Sequence, residues 1–381
     1  MVPNLRFSSF ADPFRIYTLK EVLQRISFPV TVDENKLYYQ IGIRSHSKGI
    51  FYKEAEIGKQ IGNKRIFWIE PNCLILNIVF AWEQAVAKTS EKEVGMVASH
   101  RFPMYKVLNN SLDYIVDFFK TEKGKQLLQM ASPGGAGRNK TLNQDFFLNS
   151  KIYLPSLNEQ LKTSELIELI EDRIETQIKI IDDLLTVKNG ISNKLFKLQQ
   201  IELSNHYLSE YLIEGDKTAV DTSCYKKITV KLNNQGLAFS ELNREMADTR
   251  PFYVRHKGEL IIGKQNYFNG SIAIVTEQFD NCICSNAIMS FKIKGIYSDF
   301  LYYQISNNNY LNSQSYKANG TGQKELSEKE FLNFKIWYPQ LEVQQKIVNC
   351  FKSLDLKIEN EKAILNSYFR EKSYLLNNMF I

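Results

Sequence analysis

The chain has 381 residues, 44% of them hydrophobic and 24% charged, which allows two or three domains with substantial cores and excludes a disordered chain. Its net charge of +6 is compatible with a polyanionic partner. That charge is far below what a protein that coats nucleic acid without sequence preference would carry.

The opening residues and the cysteines indicate the compartment. Residues 1–10 lack the apolar core of a signal peptide, and no stretch approaches the ~18 to 20 uninterrupted apolar residues of a membrane helix. The five cysteines are scattered, and only Cys282 and Cys284 are close together. Because alternate residues of a strand cannot easily form a disulfide, a reducing environment is favoured. We therefore expect a soluble, cytoplasmic protein.

The first segment, roughly residues 12–150, is rich in aromatic and β-branched residues, with short alternating runs such as Leu74–Val79. This pattern predicts a small mixed α/β domain. A helix is expected at Leu112–Gln129, directly before a glycine-rich loop.

A basic, aromatic stretch lies within this segment. Between Lys36 and Arg65 there are seven Lys or Arg residues against two Glu, interleaved with tyrosine and phenylalanine. Such a positive surface can neutralise DNA phosphates, although a solvated surface explains any one of these side chains equally well. The predicted DNA contacts here are Arg44, Lys48, Lys53, Lys59, Lys64 and Arg65.

The glycine-rich loop at residues 132–141 invites comparison with the phosphate-binding loop of nucleotide hydrolases. It fails that motif because Asn139 stands where a glycine is required before Lys140. Small residues also let a main chain approach a nucleic-acid backbone closely. We therefore predict that Arg138 and Lys140 contact DNA phosphates.

Residues 156–198 place apolar side chains at steps of three and four, which predicts a long helix with one apolar seam. Pro155 directly precedes it, where proline is tolerated, and a late Asn189-Gly190 pair permits a bend. Residues 339–381 repeat the pattern. Since a single apolar stripe does not stabilise an isolated helix, we expect the two helices to pack on each other, either parallel or antiparallel.

Two lysines, Lys188 and Lys372, fall at equivalent positions of the two seams. A charge at a seam position fixes the register, or marks where the seam opens to water or to a partner. Lysine reaches solvent easily, which leaves both alternatives open.

The second segment, residues 199–338, again predicts a mixed α/β domain, with a short helix at Tyr297–Asn307. It contains guanidinium and amide side chains that can hydrogen-bond to base edges in a DNA groove, although some of these residues would serve equally as turn residues. A weak alignment of residues 98–101 with 284–287 suggests that the two segments share a fold. The DNA contacts predicted from these patterns and from the second glycine-rich loop are His100, Arg101, Arg250, Arg255, Lys264, Gln265, Asn266, Asn286, Lys317 and Lys324.

The chain repeats one layout at an offset of about 184 residues, and the register holds from Leu142 and Leu326 onward. The first copy runs from the loop at 135–137 through residues 147–157 into the first long helix. The second runs from 320–322 through residues 331–341 into the other. Two copies separated by unlike stretches indicate a two-armed protein that presents two recognition surfaces on a common scaffold.

The sequence contains few features that indicate catalysis. The four histidines lie far apart in the chain, and no His or Cys pair has the spacing of a zinc site. No glycine pattern suits a nucleotide or a methyl donor. The sequence therefore predicts no catalytic residue, no metal site and no cofactor on this chain.

Several motifs together resemble the specificity subunit of type I restriction-modification systems. They are the opening Val2-Pro3-Asn4-Leu5-Arg6-Phe7, the glycine-rich loop, the Leu-Pro-x-Leu-x-x-Gln block at 154–160, the long helix, and the second copy of the block at 338–344. The resemblance covers essentially the whole chain. The second block departs from the first in having Tyr338 for Leu154 and Val343 for Glu159.

The resemblance implies an α/β (α+β) fold with two target recognition domains, residues 1–155 and 199–338. Two long antiparallel coiled-coil helices, residues 156–198 and 339–381, would separate them in a pseudo-twofold repeat. Each domain would bind one half of a bipartite double-stranded DNA site, and the helices would set the gap between the halves.

The resemblance also implies partners. The helices would dock two modification subunits, which methylate DNA adenine with S-adenosylmethionine, and restriction subunits that use ATP and Mg²⁺ would join them. The chain itself would be non-catalytic and would hold none of these cofactors. The partner contacts implied are Pro155, Glu159, Gln160, Pro339 and Gln344.

Two other functions compete with this interpretation. A self-sufficient nuclease or methyltransferase would need a metal or methyl-donor site, which the sequence does not show. An assembly scaffold without DNA contact would not need the basic, aromatic stretch.

Overall fold

The computed structural model describes residues 2–134, 140–240, 250–315 and 325–381. The chain divides into two compact units: unit 1 comprises Met1–Ile178 and Ala363–Ile381, and unit 2 comprises Lys179–Lys362. Each unit holds one globular segment together with parts of both long helices. Within the described residues, no helix is both long and apolar enough to cross a membrane.

Unit 1 is built from short strands and short helices, followed by the first long helix. Its strands are β1 (Arg15–Thr18), β2 (Leu23–Ile26), β3 (Leu37–Tyr38), β4 (Ile41–Ile43), β5 (Ile50–Tyr52), β6 (Glu56–Ile57), β7 (Ile66–Trp68), β8 (Leu74–Leu76), β9 (Val86–Lys88), β10 (Val97–Ser99), β11 (Met104–Val107) and β12 (Lys151–Leu154). Its helices are α1 (Leu19–Val22), α2 (Gly58–Ile61), α3 (Leu112–Lys120), α4 (Glu122–Met130), α5 (Gln144–Asn149) and α6 (Leu157–Leu195), which continues into unit 2.

Unit 2 repeats most of this order of elements. Its strands are β13 (His206–Tyr207), β14 (Leu212–Glu214), β15 (Ile228–Val230), β16 (Leu237–Phe239), β17 (Phe252–Arg255), β18 (Leu260–Gly263), β19 (Ile272–Ile274), β20 (Cys282–Ser285), β21 (Ile288–Ile293) and β22 (Lys335–Ile336). Its helices are α7 (Leu198–Glu202), α8 (Leu208–Tyr211), α9 (Ser298–Ile305), α10 (Asn308–Gln314), α11 (Glu328–Leu332) and α12 (Leu341–Met379), which ends in unit 1.

The largest sheet has the same antiparallel strand order in both units, β2-β11-β8-β9 in unit 1 and β14-β21-β18-β19 in unit 2. In β8, Leu74 and Leu76 enter the core that includes the helices, whereas Ile75 enters a second core. Successive strand side chains point to opposite faces, so a strand covered on both faces is apolar at every position. The prediction of two mixed α/β segments with a shared fold is confirmed.

The long helices run antiparallel within each unit. In unit 1, Ile167 near the start of α6 shares a core with Leu375 near the end of α12. In unit 2, Leu195 at the end of α6 packs against the core that contains Phe351, near the start of α12. Of the two arrangements left open by the seam pattern, the structure has the antiparallel one.

Each seam lysine pairs with an acid of the other long helix. In unit 1, Lys372 Nζ lies 2.6 Å from Glu171 Oε1, and in unit 2, Lys188 pairs with Asp355. The two acids, like the two lysines, occupy equivalent positions of the repeat. Since a charge at a seam position is satisfied only when its partner lies opposite, these pairs favour one register and one orientation.

One helix prediction differs from the structure in detail, and a second helix continues through a pair that permits a bend. The helix predicted at Leu112–Gln129 is divided at Thr121, whose hydroxyl accepts a hydrogen bond from the Gly124 amide (3.1 Å) and caps α4. The Asn189-Gly190 pair does not end α6, which continues to Leu195. A glycine inside a helix costs only about 1 kcal/mol relative to alanine, which packing of the seam outweighs.

Unit 1 buries a carboxylate beside its interhelical ion pair. Lys120 Nζ lies 2.8 Å from Asp117 and 3.0 Å from Glu171. Burial raises the pKa of Asp117 to about 6, from an ordinary value of 3.8, although Lys120 opposes the shift. Burial acts in the same direction on Glu171, but Lys120 and Lys372 outweigh it and lower the pKa of that carboxyl.

The raised pKa of Asp117 predicts a pH-dependent stability. Because this pKa is about 6 in the native state and about 3.8 when unfolded, the native state binds the proton more readily between those values. Relative to an Asp117→Asn variant, the free energy of unfolding of the wild type should fall by about 3 kcal/mol as the pH rises through this window and then stay level. Denaturant titrations at several pH values measure the difference.

The control for this experiment is Asp113→Asn, since Asp113 is an exposed carboxylate of the same helix. Its pH profile should follow that of the wild type. Parallel profiles for the wild type and Asp117→Asn would contradict the shift.

Candidate nucleic-acid interface

In unit 1, three predicted DNA contacts meet where two paired strands end. β7 and β10 are antiparallel, and just beyond them the His100 amide donates to the Arg65 carbonyl (3.2 Å). The Ile78 amide donates to the Arg101 carbonyl (3.0 Å), and the Leu142 amide donates to the Ile78 carbonyl (2.8 Å). The side chains of Arg65, His100 and Arg101 are exposed. The backbone thus holds them beside the point where the glycine-rich loop rejoins the domain.

Lys140 lies next to this point. Its ammonium group is 4.9 Å from the centroid of the Trp82 ring, and the Trp82 indole donates to the Val79 carbonyl (3.2 Å). A cation–π contact orders the lysine but leaves its charge available to a phosphate. Arg138 lies outside the described residues.

The other basic residues of the first segment lie on separate elements. Arg44 and Lys48 lie in the turn of the β4-β5 hairpin, whereas Lys53 follows β5 at the opposite end of that hairpin. Lys59 is in α2, and Lys64 follows that helix. All five are exposed. They are therefore distributed over both ends of a hairpin and the neighbouring helix.

Unit 2 repeats the three backbone hydrogen bonds with different side chains. The amides of Asn286, Lys264 and Leu326 donate to the carbonyls of Pro251, Ala287 and Lys264 over 3.1, 3.0 and 3.0 Å. Asn286 therefore stands where unit 1 has His100, and Lys264 stands where unit 1 has Ile78. The alignment of residues 98–101 with 284–287 holds in the structure.

The other residues of unit 2 that were predicted to contact DNA lie in different environments. Arg250 is exposed directly before Pro251, and Gln265 is exposed in the turn after β18. Asn266 accepts a side-chain hydrogen bond from Asn269 (3.2 Å), which is the turn role considered above. Lys317 and Lys324 lie outside the described residues.

Arg255 lies beneath the surface, in contrast to the base-edge contact predicted for it. The residue is 2% exposed, its Nε donates to Cys284 Sγ (3.1 Å), and its Nη1 donates to the Asp216 carbonyl (2.9 Å). Burial raises the pKa of the Cys284 thiol, so that sulfur stays neutral. Only a group that enters unit 2 can reach this guanidinium.

A cavity of about 220 Å³ in unit 2 offers such an entry. Its lining joins three predicted contacts, Arg255, Lys264 and Asn286, with residues that the sequence patterns missed. The missed polar residues are Lys217, Tyr253, Ser290 and Glu328. They come from separate segments of the chain, so no spacing in the sequence could have identified them.

Glu159, which the resemblance implied as a partner contact, forms an ion pair within unit 1. It is 3% exposed and accepts hydrogen bonds from Nε and Nη2 of Arg6, both over 2.7 Å. This bidentate pair ties the N-terminal residues to the start of α6. Val343 occupies the equivalent position of the second copy.

The two glutamines implied as partner contacts form equivalent sets of hydrogen bonds within their own units, and we call each set a latch. Gln160 accepts from the Ser111 amide (2.9 Å) and donates to the Pro155 carbonyl (3.0 Å). In unit 2, Gln344 accepts from the Tyr297 amide (3.0 Å) and donates to the Pro339 carbonyl (2.8 Å). Each latch joins the start of a long helix to the N-terminus of α3 or α9. A partner contact through these residues stays a prediction.

Comparisons with known proteins decide the family. Residues 192–367 match the family model described as the type I restriction modification DNA specificity domain. Residues 192–367 therefore belong to this family of DNA specificity domains, which is that of the specificity subunits of type I restriction-modification systems. The function of this specificity subunit is DNA target recognition. A relative, the type I restriction enzyme MjaVIII specificity subunit of Methanocaldococcus jannaschii, is 23% identical over 347 residues, which are 84% of this chain and 80% of the relative.

Two solved structures share the fold of this specificity subunit. The S subunit of a type I restriction-modification system from M. genitalium has a TM-score of 0.59 and 14% identity, and the match covers 100% of this chain and 99% of that one. A chain from a study of complex assembly and conformational transition of the type I R-M system has a TM-score of 0.62 and 15% identity, with 97% and 98% covered. At these identities the likeness shows the fold alone.

Proposed function

We propose that units 1 and 2 each recognise one half of a bipartite double-stranded DNA target. The proposal rests on one scaffold that presents two sets of side chains, since the same three backbone hydrogen bonds carry His100 and Arg101 in unit 1 but Asn286 and Ala287 in unit 2. Base edges are distinguished by the side chains that meet them, whereas phosphate contacts set position. Different side chains at equivalent places suit two different half-sites.

The long helices provide matching surfaces for two copies of one partner. Exposed apolar side chains recur at three equivalent positions of α6 and α12, namely Leu157 and Leu341, Ile180 and Ile364, and Leu185 and Phe369. Their recurrence at equivalent positions of both helices supports a shared docking surface. We assign them to two modification subunits, which would bind S-adenosylmethionine and methylate adenine.

Restriction subunits, with ATP and Mg²⁺, would complete the assembly in the cytoplasm. The chain itself would supply recognition without catalysis. Among the described residues, no group of three or more His, Cys, Asp or Glu side chains could hold a metal ion.

The test is the methylome of a host that expresses this chain with its modification subunits, compared with a host that lacks this chain. A methylated adenine motif in two halves, separated by a fixed gap, is the expected result. No motif in the presence of an active modification subunit would favour the scaffold function. Methylation by the purified chain alone would favour the enzyme.

Equivalent substitutions should act on different halves of that motif. We expect His100→Ala to weaken base preference in one half and Asn286→Ala in the other, each by roughly 10- to 100-fold at the base contacted, since a good side-chain pair contributes about 1–3 kcal/mol of discrimination. Methylation of libraries randomised in each half measures the effect. His256→Ala, which removes an exposed histidine of unit 2 paired with Asp280, is the control. Loss of preference in the same half for both variants would contradict the two-reader arrangement.

A further inference from the structure

Three polar residues that line the cavity of unit 2 have apolar counterparts in unit 1. The sheet pairings place Ile69, Ile78 and Met104 of unit 1 at the positions of Arg255, Lys264 and Ser290. Ile69 and Met104 are buried in an apolar core. The same scaffold thus places apolar side chains at these three positions in one unit and polar ones in the other.

A gain in the stability of unit 2 does not account for the polar residues at these three positions. Taking a guanidinium group out of water costs several kcal/mol unless it is paired and hydrogen-bonded, and replacing buried charges by apolar groups is often neutral or stabilising. Arg255 is 2% exposed, and it donates to a sulfur and a backbone carbonyl rather than to a carboxylate. Within the described part of the chain, no hydrogen bond uses its Nη2 group.

The cationic groups around the cavity exceed the acids that line it. Arg255, Lys217 and Lys264 line it with a single carboxylate, Glu328. Lys217 lies 2.5 Å from Glu328 and 2.8 Å from Glu214. Lys264 lies 3.7 Å from Glu328, which is long for a charge-assisted hydrogen bond. One lysine and one half of a guanidinium are therefore available to an incoming anion.

The acid behind the cavity floor belongs to a separate hydrogen bond. Ser290 Oγ donates to Glu259 Oε2 (2.8 Å), and Glu259 is 3% exposed. The backbone of Lys264 also accepts from the Leu326 amide. The cavity therefore lies beside the point where the second glycine-rich loop rejoins unit 2.

We propose that this cavity binds one phosphate group, with Arg255 and Lys264 as its donors. Guanidinium and ammonium groups together are the side chains that proteins use for phosphate. The phosphate has two possible sources, the backbone of the target DNA or a free phosphate ion. The DNA source rests on the proposed function, whereas the free ion does not.

The test uses Lys264→Ile in the full chain. Isoleucine occupies the equivalent position in unit 1, so the scaffold accommodates it. The matched control is Lys257→Ile, which removes the same charge from an exposed ion pair with Glu277 in the same unit. Two measurements are made on each protein: DNA affinity as a function of KCl concentration, and the midpoint of thermal unfolding in potassium phosphate against KCl at equal ionic strength.

The two possible sources of the phosphate predict different results in these measurements. If a DNA phosphate enters the cavity, the slope of log affinity against log salt falls by about 0.9 in Lys264→Ile but not in Lys257→Ile. If free phosphate enters it, phosphate raises the midpoint of the wild type and of Lys257→Ile, but not that of Lys264→Ile. Identical slopes and identical midpoints for the two variants would overturn the proposal.

Failure of the proposed function would look different. In that case the wild-type chain itself would show no salt-dependent affinity for DNA. The phosphate-dependent midpoint could still distinguish Lys264→Ile from its control.

Discussion

Replacing Glu159 by alanine is expected to destabilise unit 1 by about 3–5 kcal/mol, because it removes one partner of a buried ion pair. The Arg6 and Glu159 side chains are 11% and 4% exposed, and the hydrogen bond to Glu159 raises the pKa of Arg6. Arg6 also donates to the Asp12 carbonyl (2.6 Å). Without the carboxylate, the guanidinium remains enclosed by the N-terminal segment with its charge unpaired.

Hydrogen exchange at increasing denaturant concentration measures this effect separately in each unit. Amides of unit 1 should lose protection, whereas those of the globular part of unit 2 should keep theirs. Glu168→Ala, which truncates an exposed glutamate of the same helix, serves as the control and should change little. The double variant with Arg6→Ala should be more stable than Glu159→Ala alone, since no unpaired charge is left behind. A loss below about 1 kcal/mol would mean that the pair is not closed to water.

Placing aspartate at Leu185 and at Phe369 is expected to remove modification subunits from the complex one at a time. The two residues occupy equivalent positions of the long helices and are 37% and 48% exposed, so a polar replacement is tolerated by the free chain. In an interface, each loses about 1.5–3 kcal/mol of apolar burial, and the new carboxylate is buried without a partner. We expect affinity at each altered surface to fall at least 100-fold.

Native mass spectrometry of co-purified complexes gives the stoichiometry directly. The wild type should carry two modification subunits, either single variant one, and the double variant none. Leu203→Asp changes an apolar residue that is 77% exposed but lies outside the long helices, and it should leave the stoichiometry at two. Retention of both subunits by the double variant would place the docking surface elsewhere.

The scaffold of this protein is predictable because local patterns repeat. Steps of three and four in the long helices, and continuous apolar runs such as Leu74–Leu76, reflect burial against many neighbours and survive in both copies. The division of the Leu112–Gln129 helix at Thr121 was missed, because a helix can equally continue through threonine, and only the capping geometry marks the break.

Side-chain periodicity depends only on local geometry, so the sequence specifies two copies of one mixed α/β layout joined by two long amphipathic helices. Which polar residues stay accessible depends instead on the tertiary structure. Gln160 and Arg255 look like surface contacts in the sequence, yet the fold buries both and engages them in internal hydrogen bonds. Burial depends on residues that are distant in the chain, such as Ser111 for Gln160 and Cys284 for Arg255, and no local pattern contains that information.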